Sequence, residues 1–493
     1  MADSIYGNDG ASYLHGLINY KFPAGTHPVQ SQRRAKESFA MNAAGDLDAV
    51  FRHIDDHADE IVSDLQELCR QPSVSTVHTG IEEMAVLVRR RLERAGLEAE
   101  AHPTEGHPIV TGRLAGAGAK TLLFYNHYDV QPPEPIGEWA SPPFEARIVD
   151  GHVIARGATD NKGNIMSRLA AFEAFLAVRG ELPCSIKYII EGEEEIGSTS
   201  LLPFIEANKD LLAADGCIWE DTFREDVPVL SLGNKGLCYL ELTCRTANVD
   251  FHSSQAQIYE NAAWRLTWAL ASMKGADEKV LVEGFYDDVA PLTEKEEELV
   301  RRMKPYDTEA RKKKFELRRI ALDLSDEELP RRHLTNPSFN IAGLDAGYTG
   351  EGVKTIVSGR ARAKLDCRLV VDQDPEKIRG CVRRHLDQHG FEDIEVELLF
   401  QSLPAKSDPE SDVVKACQAA SRRACGEEAV INPFGTGSTP TWMIIRHLGI
   451  PLVGTGVGFI TARTHSANEN LKIDHLIEGA KYMAAICEAF GGS

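Results

Sequence analysis

Chemistry in this chain concentrates in a few short polar stretches, each standing behind an apolar run or just ahead of a helix. The first is His127-Tyr128-Asp129, which follows Leu122-Leu123-Phe124-Tyr125. A continuous apolar run reads as a strand buried on both faces. If the chain stays extended, His127 and Asp129 point the same way, because strand side chains alternate. An imidazole beside a carboxylate at the carboxyl end of such a strand stands where open α/β sheets hold ligands. The plain alternative is a turn capped by Asp129 with His127 at the surface.

Four further stretches share this design. Asp160 lies in Arg156-Gly157-Ala158-Thr159-Asp160-Asn161-Lys162-Gly163, just before a helical pattern, where a carboxylate also suits the helix dipole. Glu191, Glu193, Glu194 and Glu195 crowd into five residues after the strand-like Ser185–Ile190, either as a solvated acidic turn or as a cation site. Glu220-Asp221 follow the short apolar stretch Cys217-Ile218-Trp219, and His465 lies in Arg463-Thr464-His465-Ser466-Ala467-Asn468-Glu469. Imidazoles gathered with carboxylates suit Zn2+ or a similar divalent ion. No HExxH is present, which argues against a zinc site built on one helix. Two cations bridged by one carboxylate would account for more than four converging ligands.

The elements that must position these residues follow from periodicity. Asp46–Gln71 and Gly80–Ala95 read as helices, the first capped by Asp46 and stopped by Pro72. Helical spacing returns from Asn164 and over Asn261–Met273, Pro375–Gln388, Asp412–Cys425 and Leu476–Phe490. Leu237–Thr246, Arg360–Val371 and Ile394–Phe400 read as strands, with room for one more before Arg360. Residues 277–335 are strongly charged and read as a solvent-facing helical insertion. The pattern is an α/β domain interrupted by an α+β domain. The expected division is an N-terminal arm over 1–45, a catalytic domain over 46–240 and 401–493, and an insert over 241–400.

Composition narrows the function. The net charge of −21, from 75 acidic and 54 basic residues, argues against a nucleic-acid binder. No basic segment leads into an apolar one at the N-terminus, and no apolar run is long enough to span a membrane. Ten scattered cysteines without a CxxC pair fit a reduced, cytoplasmic protein.

Taken in order, His127-x-Asp129, Gly157–Gly163, Glu194-Glu195-Ile196-Gly197-Ser198, Asp221 and His465 in THSANE resemble the M20 family of di-zinc hydrolases, from about residue 50 to the C-terminus. The long charged insert and the EExGS form look most like its carnosinase-type dipeptidase branch. The resemblance implies an aminopeptidase-like catalytic domain, a mixed sheet flanked by helices, with an inserted α+β ferredoxin-like dimerisation (lid) domain. It implies two divalent cations, most often Zn2+, with Mn2+ or Co2+ as alternatives. Asp160 would bridge them, His127 and Asp221 would complete one site, and Glu195 and His465 the other. Asp129 would orient His127. Glu194 would be the general base toward a metal-bound water.

The same resemblance makes His252, in Asp250-Phe251-His252-Ser253-Ser254, the insert histidine that reaches a partner subunit's active site, with Ser254 where the family pattern has glycine. Arg368 resembles the arginine that grips a substrate carboxylate. Gly437 and Ser438 lie in a loop resembling GGSxP beside the substrate; a phosphate cradle is the rival reading, without the P-loop lysine. The expected activity is hydrolysis of dipeptides or short peptides with a free C-terminal carboxylate, by a homodimer. Deacylation of N-acyl amino acids is the alternative on the same scaffold.

Overall fold

The computed structural model describes residues 47–492, apart from 221–223, 225 and 323. The expected arm over 1–45 and the ligand candidate Asp221 therefore lie outside the described residues.

An eight-stranded mixed sheet forms the centre of the larger body. Its order is Glu98–His102, Ile109–Leu114, Ser185–Glu191, Thr121–His127, Gly216–Trp219, Leu452–Gly454, Val229–Ser231, Val430–Asn432. Thr121–His127 pairs in parallel with both Ser185–Glu191 and Gly216–Trp219, and Leu452–Gly454 continues the parallel run. From Leu122 to His127 this strand is wholly buried, as its apolar run requires. All four strands end on one side, so His127, Glu191 and the residues after Trp219 emerge along one rim.

Helices cover both faces. Gly163–Arg179 is buried along most of its length and packs against the last helix, Ile473–Gly491. Its apolar residues share one core with the two N-terminal helices and with Asp412–Cys425. A second core, around Leu123, Tyr125, Trp219 and Ile444, fills the opposite face. The N-terminal helical stretch breaks where one unbroken helix was expected: residues 47–56 are helical, His57 is a turn, and the helix resumes over Ala58–Arg70. The His57 Nδ1 lies 2.8 Å from the carbonyl of His53, which also accepts the His57 backbone N–H at 3.1 Å.

The interrupting segment has its own sheet and core. Gly236–Arg245, Asn340–Ala346, Arg360–Leu369 and Glu395–Ser402 pair antiparallel, in the order second, third, first, fourth. Ala262–Met273 and Pro375–Gln388 pack on one face, which gives the βαββαβ order of a ferredoxin-like unit. Arg360–Leu369 alternates in burial along its length. The charged stretch folds as the short helices Glu294–Arg301, Thr308–Phe315 and Glu328–Thr335. The chain enters and leaves this unit through a two-stranded ribbon, Gly233–Asn234 against Ala405–Lys406. A Cβ on Gly233 would lie 2.1 Å from the Ala405 carbonyl oxygen, so only glycine lets the two crossings touch.

Candidate metal centre and active site

The rim of the large sheet gathers the candidate ligands. Asp160 stands between two imidazoles, with Oδ1 3.0 Å from His127 Nε2 and Oδ2 3.0 Å from His465 Nε2. His465 Nε2 is also 3.2 Å from Glu195 Oε2. Four of the five expected ligands thus converge, from three loops and one strand end. The fifth, Asp221, is outside the described residues; its neighbour Glu220 places Oε2 3.5 Å from His127 Nε2.

The protons on these rings decide what the cluster can hold. His127 Nδ1 faces the Asp129 carbonyl at 3.0 Å and the Asp129 carboxylate at 3.3 Å. Both are acceptors, so Nδ1 carries the proton and the Nε2 lone pair points at the oxygens of Asp160 and Glu220. Lone pairs facing each other at that range repel, unless a positive charge sits between them. In the metal-free chain a proton has to serve. Burial opposes it, yet Glu220, Asp129 and Asp160 raise His127 well above the ordinary range. Hydrogen bonds to Asp160 and Glu195 push His465 up to about 10. Burial works against an ionised Asp160, but the two imidazoles hold it well below the usual carboxylate range. Imidazole nitrogens with carboxylate oxygens are the donor set of Zn2+, Mn2+ or Co2+, and ligand atoms of His127, Asp160 and Glu195 lie within 4.8 Å of one another. The residues present fit a divalent cation.

Local structure fixes each donor. Asp160 sits in the turn Ala158–Lys162, entered through Gly157 at φ +82°, where a Cβ would strike Val130. The carboxylate of Glu469 accepts the backbone N–H groups of Gly157, Thr159 and Asp160 at 2.9, 3.1 and 3.0 Å, and pairs with buried Arg156 at 2.8 Å. Glu469 belongs to the same segment as His465, so one carboxylate ties two ligand loops together. Arg168, wholly buried, donates to the carbonyls of Tyr125, Trp219 and Glu220 at 2.9 to 3.0 Å, which binds the ends of two neighbouring strands. Asp129 does more than face His127: its carboxylate also accepts the backbone N–H of Glu194 at 3.3 Å and of Glu195 at 3.1 Å. Gln131 Nε2 donates to Glu195 Oε2 at 2.9 Å. Glu194 lies on this turn, half-buried; burial pushes its carboxyl up to about 8.

The remaining candidates are on or beside the second sheet. Arg368 donates from NH1 to Ser438 Oγ at 3.0 Å, so two residues nominated separately for substrate meet. A Cβ on Gly437 would meet open space; the glycine that space demands is Gly435, where a Cβ would strike the Asn234 side chain. A cleft of about 430 Å3 lies beside Glu220, lined also by Trp219, Asn234, Thr436 and Thr439. His252 is exposed, and its Nδ1 accepts the Ser254 N–H at 3.1 Å; among the described residues it has no bond to the cluster. Ser254 sits in a short turn over Ser253–Gln255, a backbone that serine adopts freely.

Sequence reasoning gave no role to Glu220, Glu469 or Arg168. Glu220 and Glu469 stand within stretches already singled out, one residue from Asp221 and four from His465. Arg168 carried no signal, since its partners are backbone carbonyls of distant strands.

Comparison with known proteins gives the family of this chain. Residues 123–489 match the family model for peptidase family M20/M25/M40. An M20 family metallo-carboxypeptidase, Sso-CP2 from Sulfolobus solfataricus, superposes with a TM-score of 0.80 at 37% identity, over 88% of this chain and 100% of that one. Human carnosine dipeptidase 1 superposes with a TM-score of 0.70 at 27% identity, over 91% of this chain and 100% of that one. The Cys-Gly metallodipeptidase DUG1 of Saccharomyces cerevisiae is 27% identical, covering 91% of this chain and 98% of its own. With the family model spanning most of its length, this chain belongs to peptidase family M20/M25/M40 and is a peptide hydrolase of the carnosinase-like branch.

Proposed function

We propose that this chain hydrolyses the amide bond of dipeptides or short peptides with a free C-terminal carboxylate. The observation that best supports this is Asp160 between two imidazoles, one oxygen toward each, with Glu194 beside the cluster but outside it. The relatives named for dipeptides, carnosine dipeptidase 1 and DUG1, favour the dipeptide class. His127, Asp160, Glu195, His465 and Asp221 would hold two divalent cations, Zn2+ or else Mn2+ or Co2+, with Glu220 as a further donor beside His127. When bound, such cations supply Lewis-acid polarisation of the scissile carbonyl and acidify water in the site.

The side chains do the rest. Glu194 takes one proton from the attacking water onto its carboxylate, and later gives it to the leaving amine. Asp129 fixes the tautomer of His127 and the turn of Glu194 together. Arg368 grips the substrate carboxylate with its guanidinium fork, beside Gly437 and Ser438. His252 serves the active site of a partner subunit, stabilising the charge that develops on the carbonyl oxygen. The working assembly is a homodimer whose chains divide as 46–240 with 401–493 for chemistry and 241–400 for pairing. The ten cysteines are free and almost all buried, which suits a reducing, cytoplasmic setting.

Steady-state kinetics on unmodified dipeptides and N-acyl amino acids test the reading. Dipeptides are expected to be turned over faster. Faster turnover of the acylated series would replace it with an N-acyl-amino-acid deacylase.

A further inference from the structure

One buried carboxylate beside the site has no part in the chemistry above. Glu191 ends the strand Ser185–Glu191, directly opposite His127 in the parallel pairing, and is 1% exposed. Its Oε1 accepts Tyr125 Oη at 2.5 Å and Ser198 Oγ at 2.8 Å. Among the described residues its Oε2 has no partner. A carboxyl group held this deep, with one oxygen unsatisfied, costs stability that an apolar side chain would not. Its position has to bring something else.

That something is the closure of one turn and its attachment to a second. Residues 192–198 carry Glu194 and Glu195. Glu191 begins this turn through its own main chain and ends it through Ser198, so one residue holds both feet. Glu191 also accepts, on its backbone carbonyl, the N–H of Tyr128 at 2.8 Å, in the stretch that bears His127 and Asp129. From Tyr125 the connection continues sideways. The Tyr125 ring lies flat on Trp219, 3.6 Å between centroids and 5° between planes. Trp219 Nε1 donates to Glu220 Oε1 at 3.1 Å, and the other Glu220 oxygen is the one near His127. Contacts therefore run unbroken from Ser198, through Glu191, Tyr125 and Trp219, to Glu220.

We infer that Glu191 is a positioning residue for the reaction: through Ser198 and Tyr125 it sets the separation between Glu194 and the His127–Glu220 side of the site. This rests on the hydrolase reading, in which Glu194 moves the proton and His127 lies on the metal side. Displacing a reacting group by about 1 Å costs on the order of 100-fold in rate. The two hydroxyls act on one acceptor, so their removal is coupled.

The test uses the full-length, zinc-saturated protein and the variants Glu191→Gln, Tyr125→Phe and Ser198→Ala. Glu191→Gln is expected to lower kcat roughly 10- to 100-fold with KM within about twofold and zinc content unchanged. Tyr125→Phe and Ser198→Ala each lower kcat less, and the double variant falls short of the product of the two effects. A merely structural role would instead reduce activity in step with the folded fraction seen by circular dichroism. That result overturns the inference, as does a kcat for Glu191→Gln within about twofold of wild type. If Glu191→Gln does not fold, the two hydroxyl variants decide, and an unchanged kcat in both overturns it. If the wild-type protein cleaves no peptide, the hydrolase reading has failed by itself. The positioning role is then read from zinc affinity by chelator competition, where Glu191→Gln weakens binding about tenfold or more; unchanged affinity overturns it.

Discussion

The rim of the large sheet and the inserted four-stranded unit are built on opposite principles. At the rim, most polar groups are buried among one another: His127 and Asp129 are fully buried, Glu469, Arg156 and Arg168 hold the backbone around them, and of the gathered ligands His465 is the exposed one. In the insert, the apolar core is complete without any residue nominated for chemistry. His252 is exposed, and Arg368 reaches the other body through a bond to Ser438. The difference separates two tasks. On the proposed reading, the cation ligands all come from one body, whereas Arg368 of the second body meets substrate beside Ser438 of the first.

Variants can break this contrast, and the largest effect belongs to the rim. Glu194→Ala should lower kcat by roughly 10^2- to 10^4-fold while metal content, measured by elemental analysis, stays that of wild type. Retained activity would remove Glu194 from the proton path. Next, Glu469→Ala breaks a buried ion pair with Arg156, each partner 1% exposed, and should cost about 3–5 kcal/mol in denaturant unfolding. Asp345→Ala removes the exposed pair with Arg362 in the insert and should cost under about 1 kcal/mol. Equal losses would end the contrast.

Arg368→Ala should raise KM roughly 10- to 100-fold, the worth of a charged hydrogen bond, with kcat less affected. His252→Ala should lower kcat without changing metal content. At substrate concentrations where both variants turn over slowly, mixing them raises activity above the sum of the two only if each site draws on both chains.

The smallest effect is on pH dependence. Without metal, protons supply the positive charge at the rim. His465 is raised to about 10 by Asp160 and Glu195, and Glu194 to about 8 by burial. Both folded values exceed the unfolded ones of about 6.5 and about 4.3. The stabilisation is therefore complete below the unfolded values and disappears as pH rises through the folded ones. The melting temperature of metal-free protein should fall between about pH 5 and about pH 10, and saturating zinc should flatten the curve. A rising metal-free curve would show that the imidazoles are neutral there.

Much of this organisation was legible in the residues. The buried run before His127, the alternation of Arg360–Leu369 and the glycines around Asp160 each have a local cause that one stretch of chain displays. Pro375–Gln388 and Asp412–Cys425 have the expected bounds. What stayed hidden depends on partners far along the chain. Asn340–Ala346 was foreseen only as a gap, because most of its residues are exposed on both faces and no alternation marks it. Glu220 stood in the sequence only as the neighbour of Asp221, and its approach to His127 depends on the end of a different strand. Glu469 and Glu191 were visible as acids, but their use lies in backbone and hydroxyl groups of other segments.

The Gly233–Asn234 and Ala405–Lys406 ribbon has a consequence for engineering. Entry and exit of the inserted unit lie side by side, so its two ends are already joined in space. A shorter or foreign segment spliced at those two points leaves the order and direction of the eight catalytic strands untouched. The inserted unit is thereby a cassette by its connections, removable or exchangeable at one place while the scaffold that gathers His127, Asp160, Glu195 and His465 is kept.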